Sequence, residues 1–454
     1  MHIPSEIKQF FEVEEGQTML IKGLPGTGKT TLALEIMNAL CEKKNGMYIS
    51  TRIDPKRLYA TNPWVKDVLP PKNVINATQT KLLRSLSNRD VSNYDAVLDF
   101  FRIFFEESEE MDNPMIVIDS WDAVLNYTHQ FIGDSQHSFE QNICEFARDL
   151  GTHLIFVSES ADILPLDYIV DGVTTMEYIR LTGRSRFSES PSGIRTRYAR
   201  EIRLDKLRGV EIKQKIYTAT LHEGRFRYFE TYRESQDARI ASDGIRIPDP
   251  EQDRVSTGIP DMDNLFGGLR YGSCNVIEID HGVGKRYYQI LTALASNALK
   301  NGRGVFILPS IGYQLSSRDI FVPSNIMVSQ PQGDEDIDAW SSDLIGKLDE
   351  MRERTARPVL NIIGLDALEF AFGYKEILNL TNRMIRRWKE ANDIAVLVVK
   401  TGQEGINMAI HTSDSYLLVN ELNGGLCLSG VIPRTELYAM LVEDMNRIRL
   451  IPIV

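Results

Sequence analysis

At 454 residues the chain is too long for one ordinary domain, and its 43% hydrophobic content suffices for two or three cores. A net charge of −12 disfavours a protein that coats nucleic acid, and no apolar run approaches the roughly 20 residues a membrane helix needs. The cysteines Cys41, Cys144, Cys274 and Cys427 form no CxxC pair and the opening MHIPSEIKQFFEVEEG has no apolar leader, so neither a disulfide framework nor a zinc site is indicated and the expected location is cytoplasmic.

In chain order, the apolar strand TMLIK (18–22) runs into Gly23-Leu24-Pro25-Gly26-Thr27-Gly28-Lys29-Thr30. This fits G-x-x-x-x-G-K-[ST] at every fixed position and leads into an apolar helix from Thr31. Glycines let the backbone wrap a polyphosphate with several N–H groups facing it, Lys29 reaches the β- and γ-phosphates, and the Thr30 hydroxyl ligates Mg²⁺. The helix aims its positive end at the anion. A ligand-free glycine turn is the alternative, and the complete motif between strand and helix argues against it. The strand MIVID (115–119) ends in Asp119, the natural partner of Mg²⁺. The loop predicts ATP and Mg²⁺ on residues 23–31. It does not establish hydrolysis, which needs a group that orients or deprotonates water.

Phe139, Ile143, Phe146 and Leu150 recur at helical spacing before Gly151, and the strand HLIFVSES (153–160) follows. Residues 180–215 then carry Arg180, Arg184, Arg186, Arg195, Arg197, Arg200, Arg203, Lys206, Arg208, Lys213 and Lys215 against only Glu189, Glu201, Asp205 and Glu211. Three readings of this strip compete: a solvated loop with inter-subunit contacts, nucleic acid held through its phosphates, and docking of an acidic protein partner. Only Phe187 and Tyr198 are aromatic there, which argues against a base-stacking platform. RESQDARIASDGIRIPDPEQDR (233–254) is polar and aperiodic and reads as a linker between domains at 1–232 and 255–454.

The second half repeats the first. YGSCNVIEIDHGVGKRYYQILTALAS (271–296) lies over EGQTMLIKGLPGTGKTTLALEIMNAL (15–40) at a constant offset, matching Gly16, Gly26, Gly28 and Lys29 with Gly272, Gly282, Gly284 and Lys285. LNIIGLDALEF (360–370) pairs with PMIVIDSWDAV (114–124), which sets Asp366 beside Asp119 as the aspartate that ends an apolar strand. Ile377, Leu380, Met384 and Trp388 mark a helix before the strand IAVLVVKT (394–401). Apolar strands alternating with helices predict an α/β chain of two tandem domains, each a mainly parallel sheet covered by helices. The second loop has lost its chemistry: Ile279 replaces the first glycine and Arg286 replaces Thr30. Arg286 either repels a metal or pairs with a phosphate directly, and His281 reads as a turn residue.

Three further stretches carry a resemblance: EIRLDKLRGVEIKQKIYTATLHEGRFRYF (201–229), VSTGIPDMDNLFGGLRYGS (255–273) and YIVDGVTTM (168–176). They resemble the KaiC-like branch of RecA-type P-loop ATPases. Within it, IPSEIKQFFEVEEG, LIKGLPGTGKTTLALE and YISTRIDP look most like the archaeal gas-vesicle regulatory proteins of the GvpD family, which carry one intact P-loop and arginine-rich regions. The resemblance covers both halves and is weaker in the second. It implies two RecA-like domains, ATP on residues 23–31, Mg²⁺ on Thr30 and Asp119, and catalytic roles for Lys29 and Asp119. It also implies that Lys206 and Arg208, in KLRG, reach the γ-phosphate of a neighbouring subunit in a ring, a hexamer. A solvated strand face is the other reading of that pair.

The branch places two adjacent glutamates after the second strand. Thr51 and Arg52 stand there instead and neither is a base, which predicts slow hydrolysis. The function implied is an ATP-dependent switch acting through a protein partner, such as a transcription activator, to repress gas-vesicle genes. Two other functions stay open: a DNA-stimulated RecA-type ATPase of recombination or repair, and a scaffold that ATP stabilises.

Overall fold

The computed structural model describes residues 3–41, 45–51, 55–77, 111–132, 136–182, 196–231, 240–241, 245–311, 320–321, 325–331, 336–443 and 447–454. Arg52, Arg184, Arg186, Phe187 and Arg195 lie outside the described residues. The chain divides into two compact units, one comprising Met1–Glu230 with Ile453–Val454, the other Thr231–Pro452.

The strands of the first unit are β1 (Thr18–Lys22), β2 (Gly46–Ser50), β3 (Val74–Asn76), β4 (Met115–Asp119), β5 (His153–Val157), β6 (Gly172–Thr182), β7 (Thr196–Leu207), β8 (Ile216–Thr220) and β9 (Arg227–Phe229). They lie in the order β3-β2-β4-β5-β1-β6-β7-β8-β9. β3 to β6 run parallel, and β7, β8 and β9 add antiparallel. β1, β2 and β5 are buried at every position, as strands covered on both faces must be. The helix Lys29–Leu40 packs Leu32 and Ile36 into the core on one face. The helix Gln136–Asp149 packs Phe139 and Ile143 into the core on the other, with Phe146 and Leu150 half-buried against it. Because the strands are parallel, the segments that leave β1, β2, β4 and β5 gather along one end of the sheet.

The second unit contains β10 (Ile240–Ala241), β11 (Arg254–Val255), β12 (Leu269–Arg270), β13 (Cys274–Ile279), β14 (Val305–Leu308), β15 (Ile320–Phe321), β16 (Ile326–Val328), β17 (Leu360–Gly364), β18 (Ile394–Lys400), β19 (Ser415–Leu422), β20 (Gly425–Ile432), β21 (Leu437–Glu443) and β22 (Arg447–Pro452). Its large sheet, β16-β14-β17-β18-β13-β19-β20-β21-β22, repeats the first strand for strand. Ile377, Leu380, Met384 and Trp388 are all buried on the helix Tyr374–Ala391. The chain is therefore α/β, with two tandem, mainly parallel domains.

Register superposes the two sheets residue by residue. Ile21 pairs with Val157 and Thr174, and Ile277 pairs with Val398 and Leu417. Asp119 pairs with Val157, whereas Gly364 pairs with Val398. Gly364, not Asp366, thus holds the place of Asp119, and Asp366 lies two residues on in the helix Leu365–Phe372. A side chain has no room at Gly364, where a Cβ would sit 2.5 Å from the Ser310 nitrogen. Counting along the paired strands, Lys400 stands at the place of Glu159 and Glu421 at that of Tyr178. Leu426, opposite Glu421, stands where Arg200 stands opposite Tyr178.

Part of the stretch expected as linker is built into the second unit. Ile240 and Ala241 pair with Ile320 and Phe321. Asn297 brackets Ile247, its Oδ1 accepting from the Ile247 N–H at 3.0 Å and its Nδ2 donating to the carbonyl at 3.1 Å. Arg303, only 1% exposed, pairs with Asp249 at 2.8 Å. A polar segment without periodicity can still dock when its carbonyls and carboxylate satisfy buried donors. Among the described residues no helix is long and apolar enough to cross a membrane. The four cysteines are free thiols, pushed up to about 12 by burial and so poor nucleophiles.

Asp249→Ala leaves Arg303 buried without its carboxylate and is expected to lower the unfolding free energy by about 3–5 kcal/mol in a denaturant titration. A change below about 1 kcal/mol would return residues 245–254 to a free linker. A second prediction concerns His153, buried at the start of β5, whose Nδ1 accepts from the Gln17 N–H at 3.1 Å. Burial pushes its pKa down from 6.5 to about 4. The unfolded chain then takes up this proton first, so stability present above pH 6.5 is lost as pH falls. The loss is about 2 kcal/mol between pH 7 and pH 5, read from paired urea titrations, and His153→Gln removes that component.

Candidate functional site

The site begins where β1 ends. Gly23 takes φ 146°, and a Cβ there would lie 2.2 Å from the Met176 carbonyl oxygen on β6, so only glycine fits. Its N–H donates to the Ser160 carbonyl at 3.1 Å. Leu24, Pro25 and Gly26 form an exposed rim, and the Thr27 hydroxyl closes the turn onto the Leu24 carbonyl at 2.8 Å. Gly28, left-handed at φ 102°, feeds the helix that begins at Lys29, and Thr31 is half-buried in its first turn.

Lys29 is 6% exposed and arches over the loop, its ammonium donating to the carbonyls of Gly23 at 2.7 Å and Leu24 at 2.9 Å. The Thr30 hydroxyl donates to Asp119 Oδ2 at 2.5 Å, and the Tyr48 hydroxyl donates to the same oxygen at 2.7 Å. Burial raises the Asp119 carboxyl above the usual range. The Thr30 and Tyr48 hydrogen bonds and the Lys29 charge oppose this, and Glu159 adds to it. Lys29, Thr30 and Asp119 are thus brought together as the sequence predicts. An ammonium over a glycine turn, with a hydroxyl and a carboxylate beside it, fits a nucleotide's phosphates and a hard divalent cation. Thr30 and Asp119 would hold the cation, which supplies charge neutralisation at the phosphates.

Tyr48 and Glu159 are site residues that sequence reasoning missed. Tyr48 lies on β2, which pairs with β4, and Glu159 follows β5 with its N–H donating to Asp122 Oδ2 at 2.7 Å. Thr51 is buried, its hydroxyl accepting from the Ser120 N–H at 2.8 Å and donating to the Ser120 carbonyl at 3.2 Å, and is no base.

Lys206 and Arg208 are not brought to the loop of their own chain. The register sets Leu207 opposite Gly172 and Gly172 opposite Met19, toward the far end of the sheet from Gly23. The Lys206 ammonium donates to the carbonyls of Asp167 at 3.1 Å and Val170 at 2.5 Å, and Arg208 pairs with Asp171 at 2.7 Å. Desolvation lowers the Lys206 pKa.

The basic strip is less uniform than its composition suggests. Arg203 pairs with Glu177 and, at 2.7 Å, with Asp205. Arg200 turns onto the loop itself, its Nη1 donating to the Gly26 carbonyl at 3.0 Å and to the Thr27 carbonyl. Tyr178 lies across from Arg200 and Tyr198 across from Arg180, so two exposed tyrosines alternate with two arginines on one face of the β6–β7 pair. The window 180–215 hid this arrangement because Tyr178 lies just outside it.

In the second unit the loop has closed on itself. The chain makes a short turn at His281–Val283, and the helix starts only at Tyr288, three residues past Lys285. Arg286 donates to the carbonyls of Val283 at 2.9 Å, Gly424 at 3.1 Å and Gly282 at 2.6 Å, and it pairs with Glu421. Its guanidinium holds the turn. Lys400 pairs with Asp366 at 2.6 Å.

The P-loop domain family of the GvpD gas vesicle proteins matches residues 7–190, which span the loop and Asp119. Protein GvpD2 of Halobacterium salinarum is 26% identical over 489 aligned positions, covering 98% of this chain and 95% of its own. The chain is thus similar to the GvpD proteins over nearly its whole length, with the P-loop domain match at residues 7–190. Protein GvpD1 of the same organism is 29% identical, covering 67% of this chain and 56% of its own. A P-loop domain implies nucleotide binding, usually with Mg²⁺, and among the described residues the first unit carries the complete loop.

Gly23→Ala is expected to abolish nucleotide binding and to lower stability by about 1–3 kcal/mol, since the chain must move to relieve the Met176 contact. Gly26→Ala, whose Cβ would meet nothing within 4 Å, carries only the left-handed φ penalty of about 1–2 kcal/mol and is expected to bind more tightly than Gly23→Ala. Nucleotide titration of the two variants checks this, and equal losses would contradict it.

Proposed function

We propose that the protein is an ATP-dependent regulatory switch in gas-vesicle production, in which residues 23–31 bind ATP, Thr30 and Asp119 hold Mg²⁺, and the second domain serves as a fixed structural or partner-binding copy. The observation that carries this is the contrast between the two loops: one open and lined by Lys29, Thr30 and Asp119, the other closed by Arg286 and Glu421. Similarity to the GvpD gas vesicle proteins supplies the gas-vesicle context. The output is repression through a protein partner such as a transcription activator, and the location is the cytoplasm.

ATP sits between subunits of a ring, a hexamer, with Lys206 and Arg208 of one subunit turned to the phosphate of the next. Their position away from their own loop supports action on a neighbour. They must exchange their contacts with Asp167, Val170 and Asp171 to do so, which suits a two-state element. Buried Thr51 at a glutamate position supports slow hydrolysis. One observation favours faster turnover instead: Glu159 is a carboxylate beside Asp119. Steady-state turnover above about 1 s⁻¹ that is lost in Glu159→Gln would make the protein a working ATPase.

Mass measurement in solution, with and without ATP and Mg²⁺, tests the switch. Wild type is expected to assemble on adding ATP and Lys29→Ala to stay as it was. A wild type whose mass never changes would remove the interface reading.

A further inference from the structure

Arg200 is 5% exposed on β7 and carries its charge directly behind the phosphate loop. Its Nη1 donates to the carbonyls of Gly26 and Thr27. Its Nη2 donates to the Tyr178 hydroxyl at 2.9 Å and its Nε to the Val454 main-chain oxygen at 3.3 Å. Tyr178 completes the clamp: its hydroxyl donates to the Gly26 carbonyl at 2.8 Å, and its ring lies 4.6 Å from the guanidinium carbon. No side-chain carboxylate faces Arg200 among the described residues. Two other buried cations have one, Lys22 pairing with Asp167 and Arg303 with Asp249. The buried guanidinium is thus held by the Gly26 and Thr27 carbonyls, the Tyr178 hydroxyl and the Val454 oxygen, and its positive charge lies close behind the loop.

The peptide geometry says which side of the loop meets an anion. Carbonyl and N–H point opposite ways across a trans peptide, so the Thr27 carbonyl facing Arg200 turns the Gly28 N–H away from it, while the Thr27 N–H closes onto the Leu24 carbonyl at 3.3 Å. A charge-assisted hydrogen bond to a carbonyl also polarises its peptide, leaving the N–H on the far side a better donor. Arg200 therefore fixes which side of the loop presents its donors.

The second unit serves as an internal comparison. Leu426 stands at the place of Arg200 and Glu421 at the place of Tyr178, and the cation, Arg286, lies in the loop and pairs with that glutamate. Where the loop is closed, the protein supplies the carboxylate. Where the loop is open, a second cation, Arg200, holds the loop's carbonyls instead.

We propose that Arg200 is a positioning residue for the phosphate loop: with Tyr178 it holds the Gly26 and Thr27 carbonyls turned away from the side on which a nucleoside polyphosphate binds, and its positive charge behind the loop adds to the field that the phosphates meet. This rests on the reading that residues 23–30 take a nucleotide's phosphates. Affinity gained through Arg200 then grows with the charge of the phosphate chain, so ATP depends on it more than ADP does.

The test titrates fluorescent ATP and ADP analogues with Mg²⁺ into full-length wild type, Arg200→Met, Arg200→Lys and Tyr178→Phe, with thermal unfolding of each protein free of nucleotide. Arg200→Met is expected to weaken ATP binding roughly 10- to 100-fold and ADP binding less. Arg200→Lys recovers part of the loss, because the charge stays while the fork is gone. The nucleotide-free melting temperature of Arg200→Met stays level or rises. Tyr178→Phe keeps the charge, loosens the clamp and weakens ATP a few-fold, and it serves alone if the Arg200 variants do not fold. Binding of ATP by Arg200→Met within about twofold of wild type overturns the proposal. So do equal losses for ATP and ADP with a parallel fall in nucleotide-free stability, and so does wild-type affinity in Tyr178→Phe. A wild type that binds neither analogue contradicts instead the reading of residues 23–30 on which the proposal stands.

Discussion

The contact between Gly23 and the Met176 carbonyl decides what the rest of the first domain can do. β1 leaves the sheet at φ 146° with β6 pressed against the place a side chain would occupy. That turn sends the chain around a cradle and delivers Lys29 to the first position of the helix, beside Asp119 at the end of β4. In the second domain Ile279 sits at the corresponding point, buried as the last residue of β13. The strand runs on, the loop contracts to a short turn and the helix starts late. One position, glycine or isoleucine, separates a cradle for an anion from a filled corner.

Charge follows the same division. Around the first loop the protein gathers Lys29 and Arg200, both buried: Lys29 donates to the Gly23 and Leu24 carbonyls and acts on Asp119, and Arg200 donates to the Gly26 carbonyl and the Tyr178 hydroxyl. Around the second it pairs Arg286 with Glu421 and Lys400 with Asp366. The first site gains from an incoming polyanion, and the second has already neutralised its own cations. A duplicated fold with one responsive and one fixed copy suits regulation, because the fixed copy keeps a constant surface while the other changes state.

What was legible in the sequence follows from the range of the interactions. The phosphate loop, its flanking strand and helix, and the helical stripes at Phe139 and at Ile377 are local patterns, and each appears where the spacing places it. Asp119 was legible because it ends an apolar strand. Asp366 seemed its twin for the same reason, yet register gives that place to Gly364, and only strand pairing distinguishes the two. Arg200 and Tyr178 reach the loop from more than 150 positions away along the chain, with no local pattern to announce it. Arg200 instead looked like one more cation in a basic strip. Residues 240–254 misled in the opposite way, since polar side chains without periodicity can pair with buried Arg303, Asn297 and Asn301 as readily as with water.

The central claim is that one loop is open to a nucleotide and the other has filled itself. Calorimetric titration of ATP with Mg²⁺ into the full-length chain measures this directly as stoichiometry. The account predicts one nucleotide per chain, lost in Lys29→Ala and retained in Lys285→Ala. Two nucleotides per chain, or a single one that survives Lys29→Ala and disappears in Lys285→Ala, would contradict it.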